Sequence, residues 1–386
     1  MNFNNTEIAF SGKSNNDLKR SYWLFKIIGW NWLIKIGPTL LTIFLPLWFP
    51  IPIIKTTIFK QFCGGESIDE CESTIKELSS KNVKTILDYS VEGKEEEVVF
   101  DANVEEVLSA IKKANSNDNI PFSVFKPSGF GRFKLLQKIN EKQPLTQEEE
   151  AEFVRVKTRI EKICSMGFEM NIPIFIDAEE TWIQNPVDDI VLEMMRKYNK
   201  EKAIVYNTAQ MYRWDRLSYL NELKIIALKE GFYIGIKLVR GAYIEQERER
   251  AKKMGYEDLM QKSKEATDKD FDQAVKFCVE NIDRISLCCA THNEKSSLSL
   301  VQLMKENNIR INDNRIYFAQ LLGMSDHISN NMAKEGYNVA KYVPYGPVKD
   351  VTPYLIRRAE ENTSIAGQTG RELSLILNEQ QRRKSN

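Results

Sequence analysis

Eight short apolar runs, separated by longer amphipathic stretches, constrain this chain more than any other feature. They are VKTILDYS (83–90), PFSVFK (121–126), IPIFIDAE (172–179), AIVYNTA (203–209), YIGIKLVRGA (233–242), ISLCCATHN (285–293), RIYFAQLLG (315–323) and AKYVPYG (340–346). Most are continuously apolar rather than alternating, the pattern of strands buried on both faces. Between them lie segments with helical periodicity, among them 100–114, 149–170, 186–199, 214–231, 269–282 and 297–307. Strands alternating with helices predict an α/β fold, here a (β/α)8 barrel. An open doubly wound sheet is the rival fold. No glycine-rich dinucleotide fingerprint opens the first unit, which counts against it. The stretch 127–150, polar and glycine-bearing, reads as a long loop or helical insertion after the second strand. The reading therefore divides the chain into an N-terminal helical and apolar region, 1–82, and a barrel domain, 83–386.

The chemistry of such a barrel sits at the carboxyl ends of its strands. Asp88, Lys126, Asp177, Gln210, Arg240, His292, Gln320 and Tyr342 each close one strand candidate. Singly, Asp88 reads equally well as a turn cap, and His292 as a structural histidine. Together the eight describe a polar pocket. A second polar constellation lies further on, in VTPYLIRRAEEN (351–362). Thr352 followed by Pro353 predicts a helix start, a hydroxyl N-cap and then a proline whose missing N–H costs nothing. Tyr354, Arg357, Arg358 and Glu361 then share one helix face. Adjacent guanidiniums repel unless an anion lies between them, so this face suits a small carboxylate. The plainer reading is a solvated charged face with local ion pairs.

The remaining features exclude more than they assign. Formal net charge is zero across 54 basic and 54 acidic residues, which argues against nucleic acid. The six cysteines show no paired spacing, and only two histidines are present, so neither a disulfide framework nor a zinc site is expected. An apolar region runs from Trp23 to Phe59 and includes GPTLLTIFLPLWFPIPII (37–54), interrupted by Pro38, Pro46, Pro50 and Pro52. It reads as packed helices or a patch resting on a membrane surface rather than a spanning helix. Trp30, Trp32 and Trp48 suit either setting. SIDECESTIKELSSKN (67–82) predicts an amphipathic helix with Ser67 as its cap. The long apolar N-terminal region speaks against an organellar transit peptide, so a cytoplasmic location is expected, with peripheral contact at the inner face of the membrane.

KLVRGAY (237–243), ATHN (290–293), QLLGM (320–324), KYVPYGPV (341–348) and PYLIRRAEEN (353–362) resemble proline dehydrogenase. The likeness spans roughly residues 60 to 375 and leans to the monofunctional, eukaryotic-like branch. It implies a distorted (β/α)8 TIM-type barrel whose C-terminal helix roofs the active site. It also implies flavin-dependent oxidation of L-proline to Δ1-pyrroline-5-carboxylate, with hydride transfer to non-covalent FAD and electrons passed to a quinone. By motif, Lys126, Arg357 and Arg358 would hold the proline carboxylate, and Glu361 would pair with one of the arginines. Leu321, Tyr342 and Tyr354 would wall the ring. Asp177, Lys237 and Arg240 would be the catalytic set. Ala178, Gln210, Arg240, Gly241, Ala242, Thr291 and His292 would contact FAD. No metal is implied. Many bacterial relatives read RLVKGAY, with the two basic residues exchanged. Hydroxyproline dehydrogenase is the near alternative, disfavoured by the bulk of Tyr342 at the ring wall. A non-catalytic proline- or flavin-binding barrel is the alternative of another class, and a phosphate-binding barrel enzyme is the third.

Overall fold

The computed structural model describes residues 1–28, 51–91, 95–364 and 368–385. Its eight strands are β1 (Lys84–Tyr89), β2 (Phe122–Phe125), β3 (Ile174–Ile176), β4 (Val205–Gln210), β5 (Ile234–Val239), β6 (Ile285–Ala290), β7 (Ile316–Leu321) and β8 (Val339–Tyr345). They close into a barrel in chain order. The pairings from β2 through β7 and between β8 and β1 are parallel. All eight apolar runs form strands, each within three residues of the expected bounds at its amino end. The fold is the expected (β/α)8 barrel. Continuous apolar runs succeed here because one face of each strand meets the barrel interior and the other meets helices.

The chain forms two compact units, 93–319 and 1–92 with 320–386. In the first, side-chain parity is set by Asn207. Its amide donates to Asp188 at 2.8 Å and to the Tyr219 hydroxyl at 2.7 Å, both on surrounding helices. Tyr206, Thr208 and Gln210 therefore face the interior. There Phe122, Phe175, Tyr206 and Tyr317 form one aromatic layer, with Phe122 stacked on Phe175 at 4.3 Å and edge-on to Tyr317 at 4.8 Å. The expected insertion is a 3₁₀ turn (Pro127–Gly129), a helix (Phe133–Asn140) and the start of the long Gln147–Glu169 helix. That last helix opens with a capping box between Thr146 and Glu149.

In the second unit an apolar cluster joins Phe10, Leu18, Phe25, Phe62, Tyr354, Leu355 and Leu375, with Leu321 packed against it. Two local expectations are corrected. The helix carrying Tyr354 begins at Val348, not at Thr352. Thr352 is inside it and its hydroxyl donates to Val348 O at 2.7 Å, while Pro353 lies early enough that only one helical donor is lost. The helix at 67–82 forms only over Glu72–Ser79, because Ser67 instead closes the preceding turn by accepting from Glu70 N at 3.3 Å. Most of the apolar stretch 37–54, with Trp30, Trp32 and Trp48, lies outside the described residues. Among the described residues no helix is long and apolar enough to cross a membrane.

Candidate active site

In the 93–319 unit the interior parity carries four consecutive strands toward a polar rim. On β2 it runs through Phe122 and Val124 to Lys126, on β3 through Phe175 to Asp177, and on β4 through Tyr206 and Thr208 to Gln210. On β5 it passes Lys237, which the register sets opposite Thr208 and Cys288. Lys237 is buried, sits 5.7 Å from the Phe175 ring centre and forms an ion pair with Asp177. The carboxylate offsets part of the cost of withdrawing this lysine from water. The same burial pushes the Cys288 thiol up to about 12, with Lys237 opposing.

Asp177 follows β3 directly, and its N–H donates to Phe125 O at 2.9 Å, extending the ladder by one step. Ala178 is the next residue of that turn. Gln210 is buried and donates to the main-chain oxygen of Glu179 at 2.6 Å. Glu179 itself is buried, and its carboxyl accepts from Ser128 N at 2.9 Å and Ser128 Oγ at 2.5 Å. Burial pushes that carboxyl up to about 7, the Glu180 charge adds to the rise, and Ser128 and Lys126 hold it down.

Arg240, just past β5, does a different job from Lys237. Its Nε donates to Asp268 at 2.6 Å, Nη1 to Thr291 Oγ1 at 2.7 Å and Nη2 to Ser296 Oγ at 3.0 Å, and Phe271 lies 4.3 Å from the guanidinium carbon. Ser296 is in turn fixed by Asp272 at 2.6 Å. This lashes the turn after β5 to the turn after β6, where half-buried His292 follows Thr291. Arg240 cannot serve as a mobile base, since a guanidinium is not deprotonated in proteins. Gly241 has φ +118, and a Cβ there would stand 2.6 Å from the Tyr212 ring. Only glycine makes this turn, where Gly241 and the small Ala242 after it are exposed.

The second unit holds the rest of the expected set. Leu321 ends β7. Tyr342 is buried in the middle of β8, three residues short of its end, not at the strand end as expected. The strand continues because β1 pairs with it as far as Tyr345. Tyr342 O accepts from Leu322 N at 2.8 Å, and Ile86 is its register partner. Tyr354 is buried, and the Arg358 guanidinium carbon sits 5.2 Å from its ring centre. Arg357 and Arg358 are half-buried neighbours on this helix. Glu361 lies on it too, with its side chain outside the described residues.

Sequence reasoning missed Glu179, Asp268 and Ser296. Glu179 stands inside the IDAE motif. Asp268 and Ser296 lie on helices with no local signal, and only the fold brings them to Arg240. A flavin, implied by the motifs, fits what the rim presents. It offers a bare glycine backbone for a flat ring, an amide at Gln210, a buried cation at Lys237, and Arg240 with three of its five N–H groups engaged.

The family profile described as Proline dehydrogenase matches residues 71–371. Similar proteins include the carbapenem antibiotics biosynthesis protein CarD of Pectobacterium carotovorum subsp. carotovorum, 34% identical over 322 residues, 83% of each chain. Mitochondrial proline dehydrogenase 1 of Caenorhabditis elegans is 35% identical over 86% of this chain and 55% of its own, and the human one is 40% identical over 62% and 40%. Among solved structures, proline utilization A of Bdellovibrio bacteriovorus, inactivated by N-propargylglycine, superposes with TM-score 0.72 at 21% identity, over 83% of this chain and 35% of its own. That likeness supports the barrel. The chain thus spans about a third of that structure and about half of these two mitochondrial relatives.

Proposed function

Because this chain belongs to the proline dehydrogenase family, we propose that it oxidises L-proline to Δ1-pyrroline-5-carboxylate with FAD as cofactor. The observation that carries this reading is the rim itself, with Lys126, Asp177 and Gln210 on one interior parity at the ends of consecutive strands, beside the Lys237–Asp177 pair.

FAD, when bound, supplies the two-electron acceptor needed to oxidise the C–H bond next to the ring nitrogen. Ala178, Gln210, Lys237, Arg240, Gly241, Ala242, Thr291 and His292 would hold it. The protein's share is to bind, orient and exclude water. On family resemblance, Lys126, Arg357 and Arg358 are each assigned to the substrate carboxylate as cationic donors. Leu321, Tyr342 and Tyr354 supply apolar and aromatic surface for the ring. Lys237, ion-paired with Asp177, supplies a cationic donor for negative charge developing in the reaction. Arg240 holds the cofactor-facing turns together. Electrons then pass to a quinone, an assignment that rests on family resemblance.

The test is the visible spectrum of the purified protein before and after anaerobic addition of L-proline. A flavin band that bleaches with proline, and less with trans-4-hydroxy-L-proline, is the expected result. A flavin band that ignores proline overturns the substrate. No flavin after reconstitution with FAD overturns the enzyme reading. Comparing quinone with an artificial dye as acceptor tests the last step.

A further inference from the structure

Lys126 is a flexible side chain on a short turn, so where its ammonium sits depends on how that turn is held. The turn has three visible anchors. Gly129 N donates to Lys126 O at 3.0 Å, closing it. Asn103 donates to Gly129 O at 2.9 Å and Arg159 to Phe130 O at 3.1 Å, from the helix side. The third anchor comes from the neighbouring strand end. Both oxygens of buried Glu179 are spent on one residue, Ser128, two positions past Lys126. A carboxyl withdrawn from water is costly, and this one makes both its hydrogen bonds to a turn rather than to a helix end or to bulk solvent. The main chain of Glu179 meanwhile accepts from Gln210. One residue therefore touches the turn after β2 with its side chain and the end of β4 with its backbone.

We propose that Glu179 is a positioning residue, which latches the Lys126 turn to the turn after β3 and so sets the height of the Lys126 ammonium over the barrel mouth. The proposal rests on the reading of Lys126 as a carboxylate-binding lysine. The latch acts through geometry, so it tolerates an uncharged side chain that keeps both hydrogen bonds. Glutamine does so, its carbonyl accepting from Ser128 N and its amide donating to Ser128 Oγ.

The experiment compares Glu179→Ala, Glu179→Gln and Ser128→Ala as flavin-loaded full-length protein. Glu179→Ala is expected to raise KM for L-proline about tenfold, the order expected for lost buried hydrogen bonds, with kcat and flavin content held. Glu179→Gln should stay within about twofold of the parent, and Ser128→Ala should fall between, at about threefold. Unchanged KM in Glu179→Ala, or Glu179→Gln as impaired as Glu179→Ala, overturns the latch. Should Glu179→Ala not fold, an unchanged KM in Ser128→Ala overturns it equally. Amide hydrogen exchange across 126–130 reads the same latch without substrate. Faster exchange in Glu179→Ala or Ser128→Ala, and not in Glu179→Gln, supports it, and parent-like exchange in both overturns it. A parent protein that ignores proline would sink the proposed substrate, while the exchange result would still judge the latch.

Discussion

Two lysines are buried in the barrel strands, one in each unit, and they solve the same electrostatic problem for different ends. Lys237 on β5 faces the interior and meets Asp177 at the strand end. Lys341 on β8 faces the other way. Its ammonium donates to Leu321 O at 3.3 Å and to Met324 O, and pairs with Asp326 at 3.0 Å. Asp326 also takes Lys13 at 2.6 Å. Burial pulls the Lys341 ammonium down, with Asp326 opposing. At Asp326 burial opposes ionisation, but Lys13 and Lys341 outweigh it and hold the carboxyl well below its usual range. Side-chain parity thus separates a lysine that pairs with the carboxylate at a strand end from one that ties the N-terminal segment and the helix after β7 to a strand.

The comparison predicts opposite costs. Lys341→Met strips a buried carboxylate and two carbonyls of a donor, so about 3–5 kcal/mol of stability should be lost in urea unfolding, with turnover per folded molecule kept. Lys237→Met should lower kcat about 100-fold and stability by less, since Asp177 is only part-buried. Equal stability losses in the two variants would break the contrast.

Glu179 sharpens it further. Its folded carboxyl is raised to about 7 from an ordinary 4.5, so the folded chain holds that proton more tightly than the unfolded one. The stability this adds is full below pH 4.5 and lost as pH rises through about 7, a span worth about 3 kcal/mol. Glu179→Gln should flatten that part of the stability–pH curve relative to the parent. For Asp326 the sign reverses, with stability present above the usual carboxylate range and lost as pH falls toward its depressed value. Asp326→Asn should therefore blunt acid unfolding below about pH 4. A parallel shift of either curve without change of slope would refute the assignment.

Arg358→Ala tests the helix face in the second unit. Loss of a charge-assisted contact of about 2 kcal/mol should raise KM for proline about 30-fold while flavin content holds. Variants that lose flavin and keep proline affinity would move Arg358 to the cofactor. The smallest effect belongs to Thr146→Ala at the capping box, expected to cost about 1 kcal/mol in stability and nothing in kcat or KM.

Much of the architecture was legible because apolar runs and turn residues report local physics. The eight strands, the long helices and the motif turns at 177–178, 240–242 and 291–292 stand where the chain pattern puts them. The start of the Val348–Ser364 helix was misread, since a Thr-Pro pair suits a helix's first turn and its interior near that turn almost equally. The place of Tyr342 was misread because a strand's end depends on how far its neighbour pairs with it.

The sequence alone determined the barrel and the family, because periodicity and short motifs are properties of neighbouring residues. Only the tertiary structure decided that Lys237 serves the interior and Lys341 the scaffold, that Arg240 is lashed to Asp268, Thr291 and Ser296, and that Glu179 grips Ser128. These are meetings across 15 to 60 residues of chain, set by strand parity and register, which no local pattern encodes.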